Sequence, residues 1–270
     1  MIDLHNHILF GVDDGAQTIA DSLAMIKAGA ARGFHTFVLT PHYMIYRGYT
    51  SPYEKNKIIF EQIKTACRKE GLSVKLILGN ELQYEFALTE RYGEDVYTAM
   101  GGTDYYLIET TRQNGTALGL LNFVLFLEKQ GKKAVLAHPE RYDFVQDDPN
   151  VLLDFIRRGV LIQSNYLSLI DYYDQKTTET VKIMLEHHMV HLLGSDAHQT
   201  EAYDLYPRAE AVGVELVGET QWRAFFTENA GAFLSGKDFD IIEPKPFRKP
   251  AKFGRVEEPD LSRWQKHTLL

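Results

Sequence analysis

Three features predict an α/β protein on a parallel sheet, approaching a (β/α)7 barrel. Short apolar runs alternate with longer amphipathic ones, seven of the short runs read as strands, and histidines and acids collect where those strands end. The strand candidates cover 1–4, 36–39, 74–78, 105–108, 134–137, 161–163 and 190–193. Each is short and almost continuously apolar, as buried parallel strands are. Helical patterns lie between them at 19–32, 53–69, 118–130, 149–158, 177–187 and 202–211. In the first helix Leu23, Ile26 and Ala30 recur at helical spacing, with Asp21 and Ser22 as candidate caps. Alternating strands and helices imply right-handed βαβ crossovers. Seven strands come close to a closed barrel, and an open doubly wound sheet fits the same alternation.

The 270 residues contain no internal repeat, and composition shifts only near the end. Residues 1–240 read as the folded domain and 241–270 as a tail. The stretch 243–270 carries Pro244, Pro246, Pro250 and Pro259 among Lys245, Arg248, Lys249, Lys252 and Arg255. Prolines at that density deny a regular helix or a central strand. The tail is therefore expected to be extended on the surface or disordered, a partner or oligomer contact being the alternative.

The chain carries 29 Lys+Arg against 37 Asp+Glu, a formal charge of −8. An acidic balance disfavours a nucleic-acid surface, because duplex binding rests on neutralised phosphates. Cys67 is the single cysteine, which excludes an intrachain disulfide and a cysteine-rich zinc site. No run approaches the ~20 apolar residues of a membrane span. With chemistry-bearing residues from His5 onward there is no room for a signal peptide, so the expected location is the cytoplasm.

The chemistry gathers at strand ends. Asp3-Leu4-His5-Asn6-His7 leads into Asp13-Asp14-Gly15, and Asp196 and His198 follow the last strand. In extended chain, residues i and i+2 point to one side, so His5 with His7, and Asp196 with His198, can each grip one ion. His42, Glu81, Glu109 and His138 follow four other strands. In parallel α/β architectures the strand C-termini converge on one face. Any single pair would be incidental, but six strand ends supplying imidazole and carboxylate together point to a metal site for Zn, Mn or Fe. His35, His187, His188, His191 and His267 lack such company and read as surface or satisfied core histidines.

These residues resemble the polymerase-and-histidinol-phosphatase (PHP) superfamily. The segments Met1-Ile2-Asp3-Leu4-His5-Asn6-His7-Ile8, Val12-Asp13-Asp14-Gly15, Ala137-His138-Pro139-Glu140-Arg141-Tyr142 and Ser195-Asp196-Ala197-His198 are similar to the manganese-dependent bacterial protein-tyrosine phosphatases encoded with capsule and exopolysaccharide genes. Glu109 agrees, at a position where the histidinol-phosphatase branch usually carries His. The resemblance spans about residues 1–240. It implies a distorted (β/α)7 TIM-like barrel of the PHP type holding three divalent ions, manganese being the expected metal, with iron or zinc as alternatives. One ion would take His5, His7, Glu81 and Asp196. A second would share Glu81 and add Glu109 and His138. The third would use His42, His198 and either Asp13 or Asp14, which the sequence does not separate.

Such a site suits phosphoester hydrolysis, since paired ions clamp a phosphoryl group and acidify a water. His138 and Asp196 are expected to be catalytic, together with Arg141, whose planar fork matches phosphate. The competing reading of Arg141 is a loop ion pair with Glu140 or Asp143. Asp3 is expected to orient a ligand imidazole. No Cys-x5-Arg loop exists, since Arg68 follows Cys67 directly, so a thiol-phosphate mechanism is excluded. Tyr43, Tyr46, Arg47 and Tyr49 form an aromatic, basic segment after His42; Arg47 is a candidate substrate contact, an ordinary exposed loop being the alternative. The expected activity is metal-dependent hydrolysis of phosphotyrosine in proteins, with the tail of a tyrosine kinase controlling polysaccharide export as partner. A small-molecule phosphatase, a nucleic-acid exonuclease of the same superfamily and an inactive metal-stabilised scaffold are the competing readings.

Overall fold

The elements run in the order β1 (Ile2–Asn6), α1 (Ile19–Ala31), β2 (Thr36–Leu39), β3 (His42–Tyr43), α2 (Tyr53–Lys69), β4 (Lys75–Leu78), β5 (Glu81–Gln83), α3 (Phe86–Glu90), β6 (Tyr105–Glu109), α4 (Ala117–Lys129), β7 (Lys133–Ala137), α5 (Asp143–Asp147), α6 (Val151–Arg157), β8 (Leu161–Asn165), α7 (Gln175–Glu186), β9 (Leu192–Gly194), α8 (Glu201–Asp204), α9 (Tyr206–Val217), α10 (Glu219–Phe226) and α11 (Glu228–Leu234). The computed structural model describes residues 1–93 and 96–248. All ladders are parallel, in the orders β1-β2-β4 and β3-β5-β6-β7-β8-β9.

Two of the expected strands are broken, which accounts for nine observed strands at seven positions. Pro41 has no N–H for the ladder, and β2 stops before it and resumes as β3. The neighbouring strand breaks at the same level, where Gly79 N–H donates to Leu39 O at 2.8 Å and Glu81 N–H to Pro41 O at 3.0 Å. The paired breaks divide the ladders, β2 and β4 going with β1, and β3 and β5 with β6. β1 and β9 share no ladder. The end of β1 meets the turn after β9, where Asp196 N–H donates to His5 O at 2.8 Å and His7 N–H to Ala197 O at 2.9 Å.

Alternation along the strands sorts side chains into two cores. Leu4, Val38, Leu107, Val135, Leu161 and Leu192 pack inside the ring of strands, against Ala230 and Phe233 of α11 at one end. Their strand neighbours Phe37, Leu39, Ile108, Leu136 and Ile162 face the helices. Burying each such side chain contributes roughly 1.5–3 kcal/mol. α11 thus covers one end of this core, and the ligand candidates lie at the ends where the strands finish.

Local chemistry sets several boundaries. Thr18, rather than Asp21 or Ser22, caps α1: its hydroxyl accepts from Asp21 N–H while the Asp21 carboxylate takes Thr18 N–H. The expected helix over 202–211 is two helices, and Pro207 lies in the first turn of the second. Residues 241–248 carry no regular secondary structure, with Lys245 N–H donating to His187 O at 2.9 Å and Asn150 bonding both backbone groups of Phe247. The rest of the expected tail lies outside the described residues. Among those described, no helix is long and apolar enough to cross a membrane.

Candidate metal centre

β1 presents His5, with His7 just beyond it, to the mouth of the ring, and both rings are fully buried. Each has its Nδ1 occupied from outside the cluster. His5 Nδ1 lies 2.7 Å from Gln163 Oε1, and His7 Nδ1 lies 2.8 Å from Asp13 Oδ2. The amide of Gln163 is oriented by its NH2 group, which donates to Ser164 O. With Nδ1 turned to these acceptors, Nε2 is the atom each ring can offer to an ion. The two Nε2 atoms then sit 3.3 Å apart, facing Glu81 Oε2 at 3.1 and 3.4 Å and Asp196 Oδ1 at 3.5 and 3.2 Å.

Such separations are the edge lengths of a coordination polyhedron, since ligands about 2.1 Å from one ion stand about 3 Å apart. Three groups of donor atoms converge closely enough to hold an ion: His5, His7, Glu81 and Asp196; His7, Asp14, His42 and His198; and His42, Glu81 and Glu109. His138 joins the last through Nε2, 2.8 Å from Glu81 Oε1. All ten candidate ligands are thus in one neighbourhood. Asp13 and Asp14 divide: Asp14 belongs to a donor group, whereas Asp13 accepts from His7, from His42 N–H at 2.9 Å and from Gly15 N–H at 3.0 Å.

The donor chemistry fits a divalent cation. Glu81 Oε2, Glu109 Oε1, Asp196 Oδ1, His42 Nδ1 and His138 Nδ1 are buried and make no hydrogen bond, although most lie near one another. Buried polar atoms left this way are costly unless something neutralises them. Burial pushes the Glu81 carboxyl up, but the His5 and His42 charges and the His138 contact overcome this and hold it well below the usual range. Burial likewise opposes the charge on His42, and the Glu81 carboxylate lifts it nevertheless to about 10. The negative potential that draws a proton onto this imidazole would equally draw a metal ion.

The backbone is shaped for convergence. His138 and Asp196 have positive φ of 33° and 51°, a sparsely populated region that turns each side chain inward as its strand ends. Gly194 lets β9 approach β1, because a Cβ there would stand 2.7 Å from His5 Cβ.

Several expectations are corrected. Asp3 orients no imidazole: it accepts from Ser195 Oγ and Tyr203 OH, each at 2.7 Å, and from Ser195 N–H at 3.0 Å, tying β1 to the turn after β9. Asp13 and Gln163 hold the rings instead. Arg141 pairs with neither Glu140 nor Asp143; its Nη1 donates to Asp196 Oδ2 at 2.7 Å. Glu140 is used by Asn165 N–H and Ser168 Oγ. Tyr43 is buried, with its hydroxyl on Arg91, so only Tyr46, Arg47 and Tyr49 remain of the expected aromatic loop. Tyr49 stacks on His42, Tyr46 is exposed, and Arg47 donates to Asp14 Oδ2 at 3.2 Å. Among residues the sequence left unmarked, Gln163, Asn165 and Tyr173 contact the site. Gln163 and Asn165 are neutral polar residues of β8 and Tyr173 lies in the loop before α7, and none carries a pattern that would single it out.

Over the donor groups lies a cleft of about 520 Å³, lined by Asp14, His42, Arg47, Glu109, Arg112 and Arg141. Cys67 is elsewhere, buried in α2. Residues 1–235 match the family described as capsular polysaccharide synthesis, CpsB/CapC. The chain belongs to the CpsB/CapC family. It is similar to the tyrosine-protein phosphatase YwqE of Bacillus subtilis, 25% identical over 256 residues that cover 94% of this chain and 99% of YwqE. It is also similar to the tyrosine-protein phosphatase CpsB of Streptococcus pneumoniae, 26% identical over 239 residues, 85% of this chain and 96% of that protein. A solved structure from work on YwqE and CpsB, there called unique metal-dependent tyrosine phosphatases, aligns with a TM-score of 0.83 at 25% identity over 92% of this chain and all of that one. The resemblance read from the strand-end motifs therefore leads to the same CpsB/CapC family.

Proposed function

We propose that this protein is a metal-dependent protein-tyrosine phosphatase that hydrolyses phosphotyrosine with the strand-end cluster as its active site. The observation that carries the reading is the set of buried donor atoms without hydrogen bonds, converging beside Arg141 in an open cleft, in a chain of the CpsB/CapC family. Three divalent ions are proposed, manganese first among them: one on His5, His7, Glu81 and Asp196, one on Glu81, Glu109 and His138, and one on Asp14, His42 and His198. Asp13 is proposed to orient His7 rather than to ligate. Bound there, divalent ions would neutralise the phosphoryl oxygens and lower the pKa of an attacking water.

The chain's own groups supply the remainder. Arg141 has Nη1 on Asp196, and its side chain still reaches the cleft surface, so the guanidinium keeps a donor edge for a phosphoryl oxygen. Arg47 and Tyr46 stand at the cleft mouth, where a peptide around the phosphotyrosine would pass. The cleft volume lies within the range of small-molecule sites, enough for an aryl phosphate. With its one cysteine buried in a helix, the chain offers no thiol to attack phosphorus. The proposed substrate is the tail of a tyrosine kinase governing capsule or exopolysaccharide export, met in the cytoplasm, with residues 1–240 as the catalytic domain.

A substrate panel tests the reading. The Mn²⁺-loaded protein is expected to release phosphate from a phosphotyrosine peptide, with little turnover of histidinol phosphate and none of single-stranded DNA. Preference for histidinol phosphate would move the assignment to a small-molecule phosphatase, and degradation of DNA would move it to an exonuclease.

A further inference from the structure

Arg141 does not reach the cleft on its own stiffness. Its guanidinium carbon lies 4.4 Å from the centroid of the Tyr173 ring. The Tyr173 hydroxyl accepts from Asn165 Nδ2 at 3.1 Å and lies 3.3 Å from Asp196 Oδ2. Asn165 Nδ2 also donates to Asp196 Oδ2, at 2.8 Å, and Arg141 Nη1 donates to the same oxygen at 2.7 Å. Tyr173 thus presents its face to the guanidinium and its edge to the carboxylate that pairs with it. The chain is steered there by Asp171, which has φ of +54° and whose N–H is received by Thr178 Oγ1 at 3.1 Å. Tyr172 packs edge-on against Tyr173 from the outside.

We propose that Tyr173 is a positioning residue for phosphate recognition, its ring fixing the Arg141 guanidinium while its hydroxyl steadies Asp196. The inference rests on the phosphatase reading and adds the device that keeps Arg141 aimed. A free arginine would sample many rotamers, and ordering it on binding would weaken the grip on phosphate. A ring face beneath the cation removes that freedom in advance and attracts its charge. The part of the guanidinium that faces the cleft is then held ready for a phosphoryl oxygen.

The experiment separates the ring from the hydroxyl. Inorganic phosphate binding to Mn²⁺-loaded protein is measured by calorimetry, beside KM and kcat on a phosphotyrosine peptide and metal content, for Tyr173→Phe, Tyr173→Leu, Arg141→Ala and the Arg141→Ala/Tyr173→Leu double variant. Tyr173→Leu should weaken phosphate binding and raise KM about five- to thirtyfold with metal content unchanged. Tyr173→Phe keeps the ring and should recover most of the loss. Beyond the small loss that Tyr173→Phe shows, the double variant should be no worse than Arg141→Ala, because the Tyr173 ring acts through that residue. Should Tyr173→Leu fail to fold, Tyr173→Met, which retains the bulk, carries the same expectation. Phosphate affinity unchanged in Tyr173→Leu or Tyr173→Met, a double variant worse than Arg141→Ala by the full single-variant factor, or metal loss in place of phosphate loss would overturn the proposal. A wild-type protein that binds phosphate but leaves the peptide intact would instead remove the phosphotyrosine reading and spare the role of Tyr173.

Discussion

His42 and His191 are both buried, yet they stand in opposite electrical surroundings. His191 precedes β9, and its Nδ1 accepts from Ile162 N–H at 2.9 Å; burial alone pushes its pKa down to about 4. His42 faces Glu81 and Glu109, and its pKa rises to about 10 despite burial. A buried imidazole is ordinarily kept neutral by desolvation. It becomes part of a cation site only where carboxylates surround it and leave lone pairs unused. One end of the barrel treats histidine as a core residue, and the other gathers it with acids into a site that attracts positive charge.

The comparison can be broken at several points. The largest effect is expected at the ligand end: His5→Ala or Asp196→Ala should cost more than about a hundredfold in turnover, with metal lost by elemental analysis and the fold retained by circular dichroism. Arg141→Ala should lose about ten- to hundredfold in kcat/KM at wild-type metal content, with Lys recovering part of it. The rings must also be aimed, so Gln163→Leu, which removes the acceptor of His5 Nδ1, should weaken metal binding by about tenfold or more in a metal titration.

The neutral end makes a pH prediction. With its pKa lowered, His191 stays uncharged in the fold while the unfolded chain takes up a proton below about pH 6.5. Its contribution is flat above that pH and is lost as pH falls towards 4, by about 3 kcal/mol in all. Denaturant unfolding of the metal-free His191→Gln variant should show a correspondingly shallower loss of stability over that window, and an unchanged slope would contradict the account of His191. The smallest effect is expected at Cys67: Cys67→Ala should leave turnover per bound metal unaltered.

Much of the site was legible because strand ends and metal ligands each leave a local mark. His5-x-His7 and Asp196-x-His198 carry the period of extended chain, and His42, Glu81, Glu109 and His138 fall just after apolar runs. The paired strand breaks were not legible, since they depend on Pro41 and Asn80 meeting across two strands through Asn80 Nδ2 and Pro41 O. Nor were the roles of Asp3 and Asp13: Asp3 lies two residues before His5 and Asp13 six after His7, and only the packing shows which one meets an imidazole. Helices α10 and α11 escaped the periodicity reading, although Trp222, Phe225, Phe226 and Phe233 bury there. Their short lengths give a helical period too few turns to register. Tyr173 lies at a turn set by left-handed Asp171, a conformation that a non-glycine residue does not announce.

The most direct test follows metal and turnover together. Chelated protein is titrated with Mn²⁺, and bound metal per chain is compared at each point with phosphate released from a phosphotyrosine peptide, for wild type and Asp196→Ala. Turnover in the wild type is expected to be absent without metal and to rise as the sites fill, reaching its plateau at three ions per chain, while Asp196→Ala binds fewer and stays inactive. Hydrolysis that persists after complete chelation, or an Asp196→Ala protein as active as wild type, would contradict the strand-end cluster as the seat of the chemistry.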